Sequence, residues 1–499
     1  MNNRATQRSS HVQSTTSTVF NLPENSKLGL RDQICERVSS LITSRVLSSD
    51  KRLPSCRELA QQLGVSRNTV FAAYNRLIDL GLLVSRNRSG YFIASDPQSA
   101  LARITDSEDG VEKDRGLSPV QFGPSGLIPV VNPLNWSSYP FPFIYNQIDP
   151  SLFPVESWRE CSRLALSRTQ KPAWMDDSVE SDSPQLIQQL RQRLLNYRGI
   201  YAEEDEILIT LGTQNALFII GTVFSNKDNP IAIEDPGYPG AQNAFKLSGN
   251  KFVGVPVDEE GLDVSSIPNN CQLVFTTPSH QFPTMVTMSE SRRKQLLEAS
   301  VRQDFLIIED DYEAEMNYFD SRSRSLRSFD QNNRVIYVGS LSKTVSPGIR
   351  LGFMVAHRDI IERARMIRGV MMRHPPTIIQ ETVALFFRLG YYDSHLRNLQ
   401  RRYKKRWHAM NEAISTHLSM LEQTQNRGGT SFWLRGPEGF NTRDLADRLR
   451  EKGVLIDIGE TFYLNHDTRS FRLGFAFVAM QKLEEGIIII AAEVKKLLQ

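Results

Sequence analysis

Between residues 207 and 340 the chain alternates short β-branched runs with amphipathic stretches, and this alternation constrains the fold more than any other feature. ILITL leads into NALFIIGTVF; PIAIEDP, KFVGVPV and QLVFTTP come next; SESRRKQLLEASV precedes FLIIEDDY and RVIYVGS. The pattern argues for an α/β layered domain on a largely parallel sheet. From about residue 375 longer helices with basic faces appear, followed by SFWLRG and SFRLGFAF as strands, which suggests a smaller α+β lobe closing on the first. No internal repeat is present.

At 499 residues the chain is too long for one core of ordinary size. Residues 1–25 are rich in Ser, Thr, Asn and Gln and read as a tail that cannot offset its ordering entropy. Residues 26–95 form a small N-terminal domain, and residues 96–135, charged and punctuated by Pro and Gly, form a linker. Residues 136–374 are the large domain and 375–499 the small lobe. The longest strongly apolar run, Ile487 to Ala492, falls far below the roughly 18 to 20 residues of a bilayer crossing, so no membrane partner is expected. No apolar segment follows Arg4 and Arg8, which excludes a secretory signal and implies a cytoplasmic location. Cys35, Cys56, Cys161 and Cys271 are widely spaced, which argues against a disulfide framework or a zinc site.

Charge becomes informative once it is divided. Residues 26–95 carry 11 Lys and Arg against 5 Asp and Glu, a balance of +6, and residues 1–25 carry +1; subtracting both from the chain's +3 leaves −4 for residues 96–499. A basic head on a mildly acidic body points to a polyanionic partner for the head. Its sequence supports this. Ser55 and Glu58 form a capping-box pattern, Leu59, Ala60 and Leu63 give the helix an apolar face, and Gly64 ends it. Ser66 then caps a second helix whose Val70, Tyr74 and Leu77 form a buried stripe. This leaves Arg67, Asn68, Thr69 and Phe71 facing outward near the N-terminus, where a recognition helix meets base edges. After Gly81, LLV, the turn RNRSG and YFI make a hairpin with Arg86 and Arg88 at its tip, a wing. Ser55, Arg57, Ser66, Arg67, Asn68, Thr69, Arg86 and Arg88 are the expected contacts to double-stranded DNA. A helix-turn-helix used for protein contacts is the alternative, and two independent basic features oppose it.

In the body, YVGSLSKTVSPGIRLGF projects Lys343 from a strand terminus, with Ser340 and Ser342 offering hydroxyls and Arg350 following a Pro-Gly turn. FLIIEDDYE ends a buried strand in carboxylates, a costly placement unless a cation pairs with them. In ILITLGTQNALF a tight turn places Gly212, Thr213 and Gln214 at a helix N-terminus, where backbone amides and the dipole meet an anion. IAIEDPGYPG ends another strand at Tyr238. Pyridoxal 5'-phosphate needs this set: an amine at Lys343, an anion at Asp310 for the pyridine nitrogen, a donor at Tyr312 for the ring hydroxyl, phosphate donors, and a flat group at Tyr238. A metal-binding acidic cluster is the alternative for EDD, and no matching His or carboxylate set appears elsewhere in the sequence.

The head strongly resembles the GntR-type winged helix, with SxxxLAxxLGVSRxTVxxAYxxL nearly intact; Cys56 departs at a position expected on the exposed first turn. GTQNAL, EDPGY, TPSHQFPT, EDDY and SLSKTVSPGIRLG, in this order, resemble the fold-type-I aminotransferase domain over roughly residues 140–499. Together the two halves look like the MocR/GabR family of transcriptional regulators. That resemblance implies Lys343 as the aldimine lysine, the other residues above around the cofactor, and Arg472 in SFRLGF as anchor for the carboxylate or sulfonate of an incoming amino compound. It also implies a head-to-tail homodimer and an effector that forms an external aldimine at Lys343, with γ-aminobutyrate, taurine and ectoine-derived amino acids as candidates. HQFPTM departs from the QNPTG-like turn of aminotransferases: Phe282 replaces the Asn that bonds the ring hydroxyl, and Met285 stands where Gly is common, which argues for poor turnover. His280 or Gln281 is the substitute contact to the ring in that turn, with His280 also placed beside Arg472 as an effector contact; a loop histidine satisfied by its neighbours is the alternative. A working aminotransferase with a DNA-binding head, and a sensor of the cofactor itself, are the competing functions.

Overall fold

The structure, a computed structural model, describes residues 20, 29–43, 52–86, 90–94, 126–129, 133, 135–144, 148–167, 175, 177, 180–226, 228–319, 324–465 and 467–499. They fall into two compact units divided between Gln121 and Phe122.

The first unit comprises α1 (Leu30–Thr43), α2 (Cys56–Leu63), α3 (Arg67–Asp79) and the antiparallel hairpin of β1 (Leu83–Arg86) and β2 (Gly90–Ile93). Ser55 caps α2 by accepting from the Glu58 amide at 3.3 Å, and Glu58 in return accepts from the Ser55 amide at 2.7 Å. Gly64, at φ 65°, closes the helix in the left-handed region, which glycine reaches without strain. Val70, Ala73, Tyr74 and Leu77 bury one face of α3 against Ile34 and Val38 of α1 and Leu59 of α2. Cys56 corrects the sequence expectation: it is buried, because the first turn of α2 lies under the wing and the thiol meets the Tyr91 hydroxyl of β2. Arg88 and most of the tail and linker lie outside the described residues.

The second unit opens with β3 (Phe141–Phe143), α4 (Val155–Ala165) and α5 (Pro184–Gln189). An eight-stranded sheet follows, from β4 (Ile207–Thr210), β5 (Ile231–Asp235), β6 (Phe252–Asp258), β7 (Gly261–Leu262), β8 (Leu273–Thr276), β9 (Leu306–Asp311), β10 (Val335–Ser340) and β11 (Gly352–Val355). Its order is β4-β11-β10-β9-β8-β5-β6-β7; β11 runs antiparallel to β10 and β4, β7 runs antiparallel to β6, and every other pairing is parallel. Helices cover both faces, as continuous apolar strands require. On one face Leu208, Ile308 and Val338 meet α6 (Thr213–Val223), α7 (Pro239–Leu247) and later α9 (Arg358–Met372), whereas Ile307 and Val335 meet α8 (Glu290–Arg302).

The division into lobes differs from the sequence reading at two points. α10 (Thr377–Arg388), expected in the small lobe, packs Val383, Phe386 and Phe387 on Ile209, Tyr337 and Phe353 of the large sheet. The lobes exchange within α11 (Tyr391–His417) instead: Tyr392 belongs to the large-lobe core, and Leu399 to Ile414 to the small-lobe core. β3, expected in the large domain, pairs in parallel with β14 (Val454–Ile458), in a five-stranded sheet with β12 (Glu422–Gln423), β13 (Ser431–Arg435) and β15 (Ser470–Gly474) ordered β12-β13-β15-β14-β3. Aromatic burial drives this, since Phe141 and Phe143 complete the small-lobe core beneath α12 (Thr442–Glu451) and α13 (Leu483–Leu497). Within the expected linker, residues 126–129 are docked on α7. Asn243 clamps the Ile128 backbone with Nδ2 to its carbonyl and Oδ1 from its amide, both 2.9 Å, and Lys246 donates to the Gly126 carbonyl at 3.0 Å.

Because Leu77 is fully buried in a small core, Leu77→Ala should cost the N-terminal unit about 2–5 kcal/mol. Calorimetry should show a transition of that unit lowered or lost while that of residues 122–499 stays in place; a parallel drop of both would contradict independent cores.

Candidate functional site

The C-terminal end of β9 sets the site. Period-two alternation sends Glu309 and Asp311 to one face and Asp310 to the other. Glu309 accepts from the amides of Leu326 (2.7 Å) and Arg327 (2.8 Å). Asp311 pairs with buried Arg198 at 2.6 Å and accepts from the Tyr337 hydroxyl at 2.9 Å. Asp310 has no such support: its hydrogen-bond partner among the described residues is the Thr213 hydroxyl, 3.5 Å away, and none of their cations lies within ion-pair distance. Burial, then the charges of Asp311 and Glu234, push its carboxyl well above the usual carboxylate range. A buried carboxylate without a cation is what a pyridinium nitrogen would satisfy, so the residue set fits the cofactor inferred from the sequence.

Around Asp310 the structure gathers Thr213, Gln214, Tyr238, Tyr312, Ser340, Ser342, Lys343 and Arg350 in one cleft. Thr213 and Gln214 begin α6, whose first-turn amides open into it. Gly212, at φ 94°, makes the turn, a conformation that other residues rarely adopt, and the Arg350 guanidinium donates to the neighbouring Leu211 carbonyl at 2.8 Å. The Ser340 hydroxyl accepts from the Ser342 amide at 3.2 Å and shapes the turn that carries Lys343. Lys343 is 8% exposed, and burial brings its amine down to about 7; Glu313 and Asp457 pull it upward and Arg472 presses it lower. A buried amine near neutrality is a nucleophile at the pH where exposed lysines are charged. Tyr238, pushed up to about 12 by burial, donates to Gln214 at 3.2 Å.

The turn after β8 explains the departures from the aminotransferase pattern. Glu234 is fully buried and receives the hydroxyls of Thr276 and Thr277, both 2.6 Å, the Thr277 amide and the Gln281 amide group. Gln281 is thereby committed to the turn, with its carbonyl accepting from Thr284, and is not a ring contact. Phe282 projects into the cleft: its ring lies edge-on to Tyr238 (5.2 Å) and Tyr312 (6.0 Å), and the Arg472 guanidinium sits 4.4 Å above it. Met285 adopts φ 66°, the conformation that makes Gly common there, and its sulfur lies 3.7 Å from the Tyr312 hydroxyl. His280 does not reach the cleft. It is buried beside Gly428, and the turn that delivers Phe282 points it away, which corrects its proposed contact with an effector. Pro347, read from sequence as part of the turn before Arg350, lines the cleft, and so does Thr277, which was not singled out; the polar end of QLVFTTP was the available signal for it.

Arg472, on β15, is fully buried and donates Nε to Ser431 at 2.9 Å. Register places Trp433 and Asp457 directly opposite it on the flanking strands. In the head, Arg57, Arg67, Asn68 and Phe71 are exposed and Thr69 is half-buried, its amide held by the Ser66 hydroxyl at 3.1 Å. Arg86 stacks on Phe92 at 4.8 Å. Arg52, not singled out from sequence, bridges to Phe92 at the base of the wing.

The family description for aminotransferase class I and II matches residues 174–490, and that for bacterial regulatory proteins of the gntR family matches residues 30–93. The HTH-type transcriptional regulator TauR of Rhodobacter capsulatus is 38% identical over 472 residues, covering 93% of this chain and 97% of the relative. The "Probable rhizopine catabolism regulatory protein MocR" of Rhizobium meliloti is 28% identical, covering 93% and 94%. The kynurenine aminotransferase of Pyrococcus horikoshii superposes with a TM-score of 0.68 at 29% identity, over 73% of this chain and 93% of its own.

In protein stripped of small molecules, acylation of Lys343 followed by peptide mass spectrometry should rise with a midpoint near pH 7, against about 10 for exposed lysines. Arg472→Leu removes a positive neighbour and should move that midpoint upward. A wild-type midpoint near 10 would show that the amine is not held in an apolar setting.

Proposed function

Because the chain belongs to the MocR family of HTH-type transcriptional regulators, with a GntR-type head and a pyridoxal-phosphate-dependent body of aminotransferase type, we propose that the body senses a small amino compound and so alters how the head engages DNA. The observation that carries this reading is the convergence on one cleft of a near-neutral amine at Lys343, a buried carboxylate without a cation at Asp310, and the α6 N-terminus.

In this reading Lys343 attaches the cofactor, Asp310 holds its ring nitrogen protonated, Tyr312 faces its ring hydroxyl and Tyr238 covers its face. The α6 amides, Ser340, Ser342 and Arg350 receive the phosphate. When bound, pyridoxal phosphate supplies an electron sink conjugated to the amine it carries. Arg472, held by Ser431 and Phe282, anchors the carboxylate or sulfonate of the effector, for which γ-aminobutyrate, taurine and ectoine-derived amino acids remain the candidate chemistries. Phe282 offers no donor to the ring hydroxyl, which supports sensing in preference to fast turnover. In the head, the first turn of α3 enters the major groove, with Arg57 and the wing arginines on phosphates. A cytoplasmic homodimer, arranged head to tail, accords with a DNA partner and with the family. No helix among the described residues is long and apolar enough to cross a membrane.

An effector differs from a bystander by stabilising one of two conformations, so binding and DNA engagement must move together. The purified protein should show a yellow absorption band that is absent in Lys343→Ala. Titration with the candidate amines in the presence of 2-oxoglutarate should shift the band without exhausting it, and should change the DNA footprint over the same concentration range. Arg472→Ala should weaken that response roughly 10- to 100-fold while keeping the band. A band that cycles with release of product would make the protein an enzyme first, and an unaltered response in Arg472→Ala would point to the cofactor itself as the signal.

A further inference from the structure

The body carries −4 over residues 96–499, yet between Ser394 and Asn411 helix α11 has six Lys and Arg and no acidic residue. Arg406 is buried and paired with Asp149. The other five, Arg397, Arg401, Arg402, Lys404 and Lys405, are all exposed, and none has a carboxylate of a described residue within ion-pair distance. Other exposed cations of the body without an acid partner among the described residues, such as Arg163, Lys251, Arg388 and Lys495, are scattered, and several are matched, as in Arg159 with Glu156, Lys294 with Glu290 and Arg443 with Glu460; here five fall within nine residues of one helix.

The five are also arranged. At about 100° per residue Arg397, Arg401, Lys404 and Lys405 fall within roughly one quadrant of the helix, with Arg402 beside them, over roughly 12 Å of axis. The opposite face holds Leu399, Tyr403, Trp407 and Met410 in the small-lobe core, so the stripe is fixed toward solvent by the burial behind it. Lys404 is steadied by Phe319, 5.6 Å from its ammonium, and Phe319 in turn lies edge-on to Trp407. Such a row keeps its mutual repulsion unless a polyanion relieves it. A duplex, with one charge per about 1.7 Å of axis, presents phosphates densely enough to engage all five.

We propose that the exposed face of α11 is a second DNA-binding surface, contacting the phosphates of double-stranded DNA independently of base sequence while the head supplies the reading. The proposal rests on the head being bound to the same duplex, and it places part of the protein's affinity, and of its salt dependence, on the body.

The test is fluorescence anisotropy of the full-length protein on a random-sequence duplex of about 60 base pairs, titrated between roughly 50 and 200 mM salt. In the Arg397→Gln/Arg401→Gln/Lys405→Gln variant the slope of log affinity against log salt should become shallower by about 2.7, at about 0.9 for each phosphate no longer neutralised, with the affinity at low salt falling at least about tenfold. Arg67→Gln is the control for the head. A slope that changes in Arg67→Gln and not in the triple variant overturns the proposal and leaves the head's role standing. So does an unchanged slope together with an altered sedimentation coefficient in Arg397→Glu/Arg401→Glu/Lys405→Glu, which would assign the face to association between copies of the chain.

Discussion

Three consecutive buried carboxylates end β9, and the rest of the body is organised by how their charges are answered. Two are answered from within the protein: amides meet Glu309, and Arg198 with Tyr337 meets Asp311. Each arrangement draws in distant segments, since Arg198 lies before β4 and residues 326–327 lie between β9 and β10. The cost of burying these charges is therefore offset by contacts that also tie the strands' flanking loops together. Asp310 meets only the Thr213 hydroxyl among the described residues, and the Lys343 amine, the α6 terminus and Arg350 line the same cleft.

The small lobe contributes through β15. Arg472 is held by a hydroxyl on one neighbouring strand and by the face of Phe282 from the other lobe, so the cation bridges the two halves of the body. Phe282 has a double effect. It replaces a hydrogen-bonding side chain by an apolar ring, and it joins Tyr238, Tyr312 and Phe462 in an edge-to-face cluster at the cleft. Burial of the Lys343 amine is why it loses its proton so readily.

The α/β class, the winged helix and the positions of the strand-end motifs were legible in the sequence, because each depends on local periodicity, capping or turn chemistry. The group that lines the cleft was legible for the same reason: in a parallel sheet, strand ends converge. What was hidden depends on tertiary packing. Cys56 reads as a surface residue because only the wing's fold-back covers it. β3 reads as part of the large domain because a three-residue strand carries no sign of its partner, and α10 follows the lobe boundary in sequence while packing against the other sheet. His280 and Phe282 are two residues apart, and which of them enters the cleft is decided by the hydrogen bonds that Glu234 makes to Thr277 and Gln281 across 43 and 47 residues of chain. The solvent face of α11 was visible as a basic stretch, but its want of acidic partners could be recognised only in three dimensions.

Helix α7 is nine residues long and touches two very different things. At its start stand Tyr238 and Gly240, both bonded to Gln214 at the edge of the cleft; one turn later Asn243 grips the chain segment arriving from the N-terminal side. A helix this short holds its side chains in fixed relation to one another, so the edge of the cleft and the anchorage of residues 126–129 share a single support.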